Sequence, residues 1–232
     1  MPVITLDGPT ASGKGTVAAQ VAKRLGFHVL DSGLLYRVLA LAARHHGVAD
    51  TNEPALQVLA AHLDVQFPCD HAGETRVTLE GEEVSRTLRE EWVGMAASRV
   101  AVLPGVRVAL LNRQRAFQEL PGLVADGRDM GTIVFPEADL KIYITATADA
   151  RAERRYRQLL EKGFSASLAD LTEDIRQRDE RDMQRSVAPL RAAADSVHID
   201  TTLMNIPEVV DTVLSHVRQH VLLSRFLSTG SW

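Results

Sequence analysis

The stretch Val3-Ile4-Thr5-Leu6-Asp7-Gly8-Pro9-Thr10-Ala11-Ser12-Gly13-Lys14-Gly15-Thr16 decides the fold. Val3 to Leu6 is a short apolar run that ends in Asp7, and its length and composition predict a buried strand. A glycine-bearing loop follows from Gly8 to Gly13, then Lys14. Val17, Val21 and Leu25 then stand four apart, with Gly26 as the stop, which predicts a helix. Strand, loop, lysine and helix in this register make a phosphate-binding loop. Its glycines let successive backbone N–H groups turn toward one anion. The helix N-terminus aims its unpaired N–H groups the same way. The nine residues Gly8, Pro9, Thr10, Ala11, Ser12, Gly13, Lys14, Gly15 and Thr16 are the expected nucleotide-phosphate cradle, with Lys14 reaching the β- and γ-phosphates. Gly8 and Gly13 have the usual spacing, but Gly15 stands where a hydroxyl is common, and Thr16 supplies one a step late. Direct ligation of a magnesium ion by Thr16 therefore stays open.

The bulk composition narrows the class. The 232 residues are 45% hydrophobic and 24% charged, an ordinary globular balance with room for one α/β domain and insertions. A net charge of −4 with 5% aromatic residues gives neither the basic field nor the stacking platforms of a nucleic-acid binder. Cys69 is the single cysteine, which fits a reducing compartment. No apolar run approaches the length of a membrane span, and the first strand follows Met1 and Pro2 directly, so a cytoplasmic protein is expected. Lysine stands only at 14, 23, 141 and 162, and the other basic residues are arginines. Genome composition explains such a bias as readily as phosphate binding does, so each arginine is argued by position.

Further strands are expected at Phe27 to Leu30, Leu123 to Ala125, Leu140 to Thr145 and Ser196 to Asp200, alternating with helices. Asp31 or Ser32 caps a helix running to about His45, and Arg37 lies in its first turns. Ligands of open α/β sheets bind at the strands' carboxyl ends, which is where these residues fall. Residues from about 60 to 100 break the rhythm. Val65 to Phe67 and Arg76 to Leu79 alternate as strands, His71 to Glu74 supplies a turn, and Leu88 to Val100 has helical spacing. A helix opened by Pro104 runs to about Glu119. Asp126 closes the third strand. It is either a magnesium-organising carboxylate or a plain strand-to-turn aspartate. A helix capped by Asp149 carries Arg151, Arg154, Arg155 and Arg157, and the small polar segment Phe164 to Ala169 suggests a flap. In a helix from about Leu171 to Arg185, Asp174, Arg178, Arg181, Asp182 and Arg185 share an arc of roughly 100°. That face is a second basic cluster or a solvated salt-bridge surface. Pro207 begins a last amphipathic helix, and the tail after Leu223 has no clear pattern.

Four motifs together resemble those of bacterial cytidylate kinases. They are the loop Gly-Pro-Thr-Ala-Ser-Gly-Lys-Gly-Thr, then Asp31-Ser32-Gly33 with Tyr36-Arg37, then Asp126-Gly127-Arg128-Asp129-Met130-Gly131-Thr132, and finally Arg178-Asp179 with Arg181-Asp182 and Arg185. The resemblance spans nearly the whole chain, and the shifted hydroxyl of the loop is part of it. It implies a P-loop kinase fold: a five-stranded parallel sheet with helices on both faces, an insertion containing a small antiparallel sheet, and a short lid. The implied core is about 1–31, 108–150 and 171–232. The monophosphate-binding part is about 32–107, with the insertion about 60–100, and the lid is about 151–170. The implied reaction moves the γ-phosphoryl of ATP to CMP or dCMP with Mg²⁺, in pyrimidine metabolism; a monomer is expected because no long apolar stripe of the sequence is left unassigned. By resemblance Ser98, Arg107 and Asp129 hold cytosine, while Arg37, Arg128 and Arg185 hold the acceptor phosphate with Ser32 in support. Arg178 and Asp182 reach the sugar or the transferring group. Lys14, Arg128, Arg178 and Arg185 would carry the catalysis, with Asp126 and Thr16 near the metal, directly or through water. Arg154 and Arg155 would travel with the lid. A P-loop kinase for another acceptor such as UMP, and a nucleotide switch with no acceptor, stay open as alternatives.

Overall fold

The computed structural model describes residues 1–67, 76–161, 163, 165–220 and 222–228. In chain order its elements are β1 (Val3–Asp7), α1 (Lys14–Leu25), β2 (His28–Asp31), α2 (Ser32–His45), α3 (Glu53–Ala61), β3 (Val65–Gln66), β4 (Thr78–Leu79), β5 (Glu82–Glu83), α4 (Glu91–Val100), α5 (Pro104–Arg115), β6 (Leu123–Gly127), β7 (Leu140–Thr145), α6 (Ala148–Glu161), α7 (Leu168–Met183), β8 (Val197–Asp200), α8 (Ile206–Gln219) and α9 (Ser224–Ser228). They fall into two compact units, Met1–Asp31 with Arg115–Trp232, and Ser32–Gln114.

The first unit is built on a five-stranded parallel sheet in the order β2-β6-β1-β7-β8. The strand of the phosphate loop lies at the centre, and every residue of β1 is buried. Apart from Thr5 it is apolar up to Asp7, because both faces of a central parallel strand are covered. The register puts Asp7 level with Gly127 and Tyr143, and Asp31 level with Asp126. The carboxyl ends of four neighbouring strands therefore meet along one edge. Val17, Ala18, Val21 and Ala22 of α1 pack with Val209, Val210, Val213 and Leu214 of α8 in the core cluster that also holds Ile4, Leu6 and Ile142. Helix α8 starts from a complete capping box between Asn205 and Glu208.

The second unit has its own core. Helix α2 contributes Val38, Leu39, Leu41 and Ala42, which pack with Leu56 and Ala60 of α3, Val93 and Ala97 of α4, and Leu110 of α5. Strands β3, β4 and β5 form a small antiparallel sheet, as the alternation of apolar residues predicts.

The structure departs from the sequence reading in three of its elements. Helix α3, capped by Asn52 with Pro54 in its first turn, was passed over. So was α9 in the tail. Helix α7 begins at Leu168, capped by Ser167, so the end of the expected flap is helical. The second compact unit ends at Gln114, because α5 packs with that unit's core. The turn expected at His71 to Glu74, together with Cys69, Lys162 and Phe164, lies outside the described residues. Among the described residues no single helix is long and apolar enough to cross a membrane.

Candidate active site

The phosphate loop is shaped by close approach. Gly8 has φ +150°, and a Cβ on it would sit 2.0 Å from the carbonyl oxygen of Ile144 on β7, so only glycine lets β1 turn there. Ala11 occupies the left-handed region at φ 56°, a conformation that costs a non-glycine residue roughly 1 kcal/mol. Lys14 Nζ donates to the Pro9 carbonyl at 2.7 Å and to Ser12 Oγ at 3.3 Å. The ammonium is thereby held under the loop's own arch. Gly15 leaves room for Asp126, whose Oδ2 would lie 3.2 Å from a Cβ at that position. Thr16 is exposed in the first turn of α1.

Arg128 and Arg185 converge on one carboxylate. Asp182 is 1% exposed; its Oδ2 accepts from Arg128 Nε at 2.9 Å and its Oδ1 from Arg185 Nη2. Burial alone would raise Asp182, but Arg128, Arg185 and Arg178 together bring it below the ordinary carboxylate range. The charges of Arg128, Asp126 and Asp182 act on Lys14, and those of Arg128, Arg178 and Arg185 act on Asp182. Asp129 follows directly, 3% exposed. Burial pushes Lys14 down to about 7, helped by Arg128 and opposed by Asp126, Asp7 and Asp182. Burial pushes Asp126 up to about 7; Lys14 pulls it down, while Asp31 adds to the rise.

These shifts predict a proton inventory. At about pH 8 the free protein holds much of Lys14 neutral, and a bound triphosphate draws a proton back onto it. A polyanion beside Asp126 moves that group in the same direction. Titration of ATP at about pH 8, in two buffers of different ionisation enthalpy, should therefore report uptake approaching about one proton. Affinity should weaken as pH rises from about 7 to 9. Equal apparent enthalpies in the two buffers would contradict this.

The charged face of α7 is rotated from its expected position. The buried stripe is Ile175, Asp179 and Asp182, while Asp174 and Arg181 are exposed and Arg185 lies beyond the helix end. Asp179 forms a bidentate pair with the buried Arg151, at 3.0 and 2.5 Å. Arg151 also donates to the Thr10 carbonyl at 3.1 Å, which ties α6 and α7 to the phosphate loop. Both stand in stretches the sequence marks, Arg151 in the arginine-rich helix and Asp179 in the motif with Arg178, but neither carries an expected role. Its i, i+4, i+7 spacing with Ile175 and Asp182 was the available signal for Asp179. Arg154, expected to move with a lid, donates to the carbonyls of Ser12, Thr201 and Met204.

Asp7 was also read only as the end of a strand. Its carboxylate accepts from the backbone N–H of Met130 at 2.8 Å and of Gly131 at 2.7 Å. Burial raises it to about 6 against the pull of those two bonds.

In the second unit, Ser32, Ser98 and Arg107 are buried. Ser98 Oγ has no hydrogen-bond partner among the described residues. Arg107 lies 5.8 Å from the ring centroid of Tyr36 and donates to the Ala101 carbonyl at 3.3 Å. Arg37 donates to the Leu88 carbonyl at 2.8 Å and lies across Gly94, where a Cβ would come within 2.8 Å of Nη2.

A family model described as cytidylate kinase matches residues 4–219. The cytidylate kinase of Stutzerimonas stutzeri (strain A1501) is 60% identical over 218 residues, covering 94% of this chain and 95% of that protein. The cytidylate kinase of Pseudomonas aeruginosa (strain UCBPP-PA14) is 59% identical over 217 residues, covering 93% and 95%. Among solved structures, a gluconokinase from Sinorhizobium meliloti 1021 aligns over 99% of this chain and 97% of that one, with a TM-score of 0.46 and 13% identity, too loose a likeness to weigh. With the strand-end carboxylate, the lysine loop and the paired arginines in place, the sequence match over nearly its whole length makes this chain a member of the cytidylate kinase family.

Proposed function

We propose that the protein transfers the γ-phosphoryl group of ATP to CMP or dCMP, giving ADP and CDP or dCDP. The observation that carries this reading is the convergence of Arg128 and Arg185 on buried Asp182, with Arg128 and Asp182 close enough to Lys14 to act on its charge, a second set of cations beside the loop lysine. A hydrolytic switch has no need of an acceptor-phosphate site; a phosphotransferase does. An oxygen of the CMP phosphate attacks the γ-phosphorus while the bond from that phosphorus to the β-bridging oxygen breaks. The acceptor arrives as a dianion at neutral pH, so no general base is required. Positioning and charge stabilisation supply the rate.

In this reading the loop N–H groups and Lys14 hold the β- and γ-phosphates. Arg128, Arg178 and Arg185 spread over the acceptor phosphate and the transferring group, and Asp182 fixes two of them. A magnesium ion supplies charge neutralisation on the phosphates when bound. It keeps most of its water and needs few protein ligands. Asp126, with Asp31 beside it in register, suits such water-mediated contact, and Thr16 adds an exposed hydroxyl. Among the described residues no cluster of three or more His, Cys, Asp or Glu forms an all-protein cage.

Base choice falls to Asp129; Ser98 and Arg107 are the further residues assigned to the base, and Arg37 and Ser32 those assigned to the acceptor phosphate. A carboxylate accepts from cytosine's exocyclic amino group and repels the carbonyl that uracil puts there. Segment 32–107 serves the acceptor, and 151–170 is the lid. The enzyme works as a monomer in pyrimidine nucleotide metabolism in the cytoplasm, which the single cysteine suits.

ATP labelled at the γ-phosphate and incubated with CMP should put the label on the β-phosphate of CDP. Label found only in inorganic phosphate would contradict the transfer. Asp129→Ala should cut the preference for CMP over UMP, measured as the ratio of kcat/KM values, by about tenfold or more.

A further inference from the structure

The turn that carries Asp129 is held from below by the strand of the phosphate loop. After Asp129 the chain makes a single π-helical turn, Met130–Val134, in which the Asp129 carbonyl accepts from Ile133 at 2.9 Å and Val134 at 3.1 Å, and the Met130 carbonyl from Phe135 at 2.7 Å. A wide turn of this kind leaves its first N–H groups without intrahelical partners. The two that follow Asp129, on Met130 and Gly131, both end on the Asp7 carboxylate. Gly131 is boxed in on the same side. A Cβ there would meet Thr5 Oγ1 at 2.8 Å and the Lys141 stem at 3.2 Å. Thr5 and Asp7 belong to β1, the central strand, and Lys141 to its neighbour β7, so the turn has little freedom to shift. Asp7 directly precedes Gly8 of the loop, yet its hydrogen bonds run to the acceptor side.

We infer that Asp7 is a positioning residue for acceptor choice: through the Met130 and Gly131 amides its carboxylate fixes the turn that sets Asp129 against the base. The inference rests on Asp129 as the base-reading residue. An ionised carboxylate accepts both N–H bonds, whereas an amide of the same shape accepts one and turns its own NH₂ on the other.

The test compares kcat/KM for CMP and for UMP in Asp7→Asn, Gly131→Ala, Asp129→Ala and the double variant Asp7→Asn with Asp129→Ala. Asp7→Asn should lower the CMP:UMP ratio roughly tenfold, with the KM for CMP rising more than the KM for ATP. Gly131→Ala, which presses a methyl group on the same turn without touching the loop, should lower the ratio in the same direction. It decides alone if Asp7→Asn does not fold. In the double variant Asp7→Asn should lower the ratio no further, because both changes act on one contact. A purely structural strut would reduce turnover equally with both acceptors and keep the ratio, and that result overturns the inference. If Asp129→Ala lowers the ratio while Asp7→Asn and Gly131→Ala do not, the role of Asp7 alone is refuted. If Asp129→Ala leaves the ratio unchanged, the base-reading assignment fails and Asp7 falls with it.

Discussion

Lys14→Met will lower kcat by about a thousandfold while leaving the melting temperature of the protein unchanged or raised. The two effects part because the ammonium serves the transition state and not the fold. It is 5% exposed and donates only to Pro9 and Ser12 of its own loop. Burial has already driven it down to about 7, which means the folded protein pays to keep it charged. Methionine fills much the same volume without that cost. Asp126 loses the cation that holds it down, rises further above about 7, and takes a proton at neutral pH instead of standing as a bare buried charge. Steady-state kinetics and thermal melting on the same preparation check this. A large fall in melting temperature alongside the loss of turnover would mean that Lys14 is structural.

Asp182→Ala should do the reverse, costing stability first. Removing a carboxylate buried between Arg128 and Arg185 leaves two guanidiniums facing each other without their shared partner. Breaking a buried pair in this way costs about 3 kcal/mol, which lowers the melting temperature of a chain this size by roughly 10 °C. The arginines then lose their placement, and kcat/KM for CMP falls by about a hundredfold or more. The pH dependence follows from the direction of the shift. Asp182 titrates below the 3.8 of a free side chain, so its contribution is complete above that value and fades only as pH falls through the depressed one. The variant should therefore be less stable than the parent across the neutral range, and the gap should close in acid. A melting temperature equal to the parent's at neutral pH would show that the two arginines hold their positions without Asp182.

The parallel core was legible because its signals are local. An apolar run, a glycine loop, a lysine and a 3.6-residue period lie within the first 26 residues, and each later strand is a short apolar stretch ended by an acid or a turn. Helix α3 escaped notice because its apolar residues run nearly all round it: Leu56 and Ala60 are buried while Val58 is exposed, so the sequence sets no clear phase. The α7 face was misphased because charges are dense all around that helix. Ile175, the buried residue that fixes the rotation, carries no charge and so drew no attention. Asp179 and Arg151 meet across 28 residues, and Asp7 reaches Met130 across 123. No spacing rule anticipates contacts of that range; the first exists because α6 packs on α7, the second because the parallel register brings the ends of β1 and β6 level.

The most direct measurement is the rate of ADP release from ATP and Mg²⁺ with CMP, dCMP, UMP and AMP offered one at a time, against a control with no acceptor. Fast release with CMP and dCMP, and little with UMP, AMP or no acceptor, is the expected result. ADP release that is the same with and without CMP would contradict the phosphotransferase account.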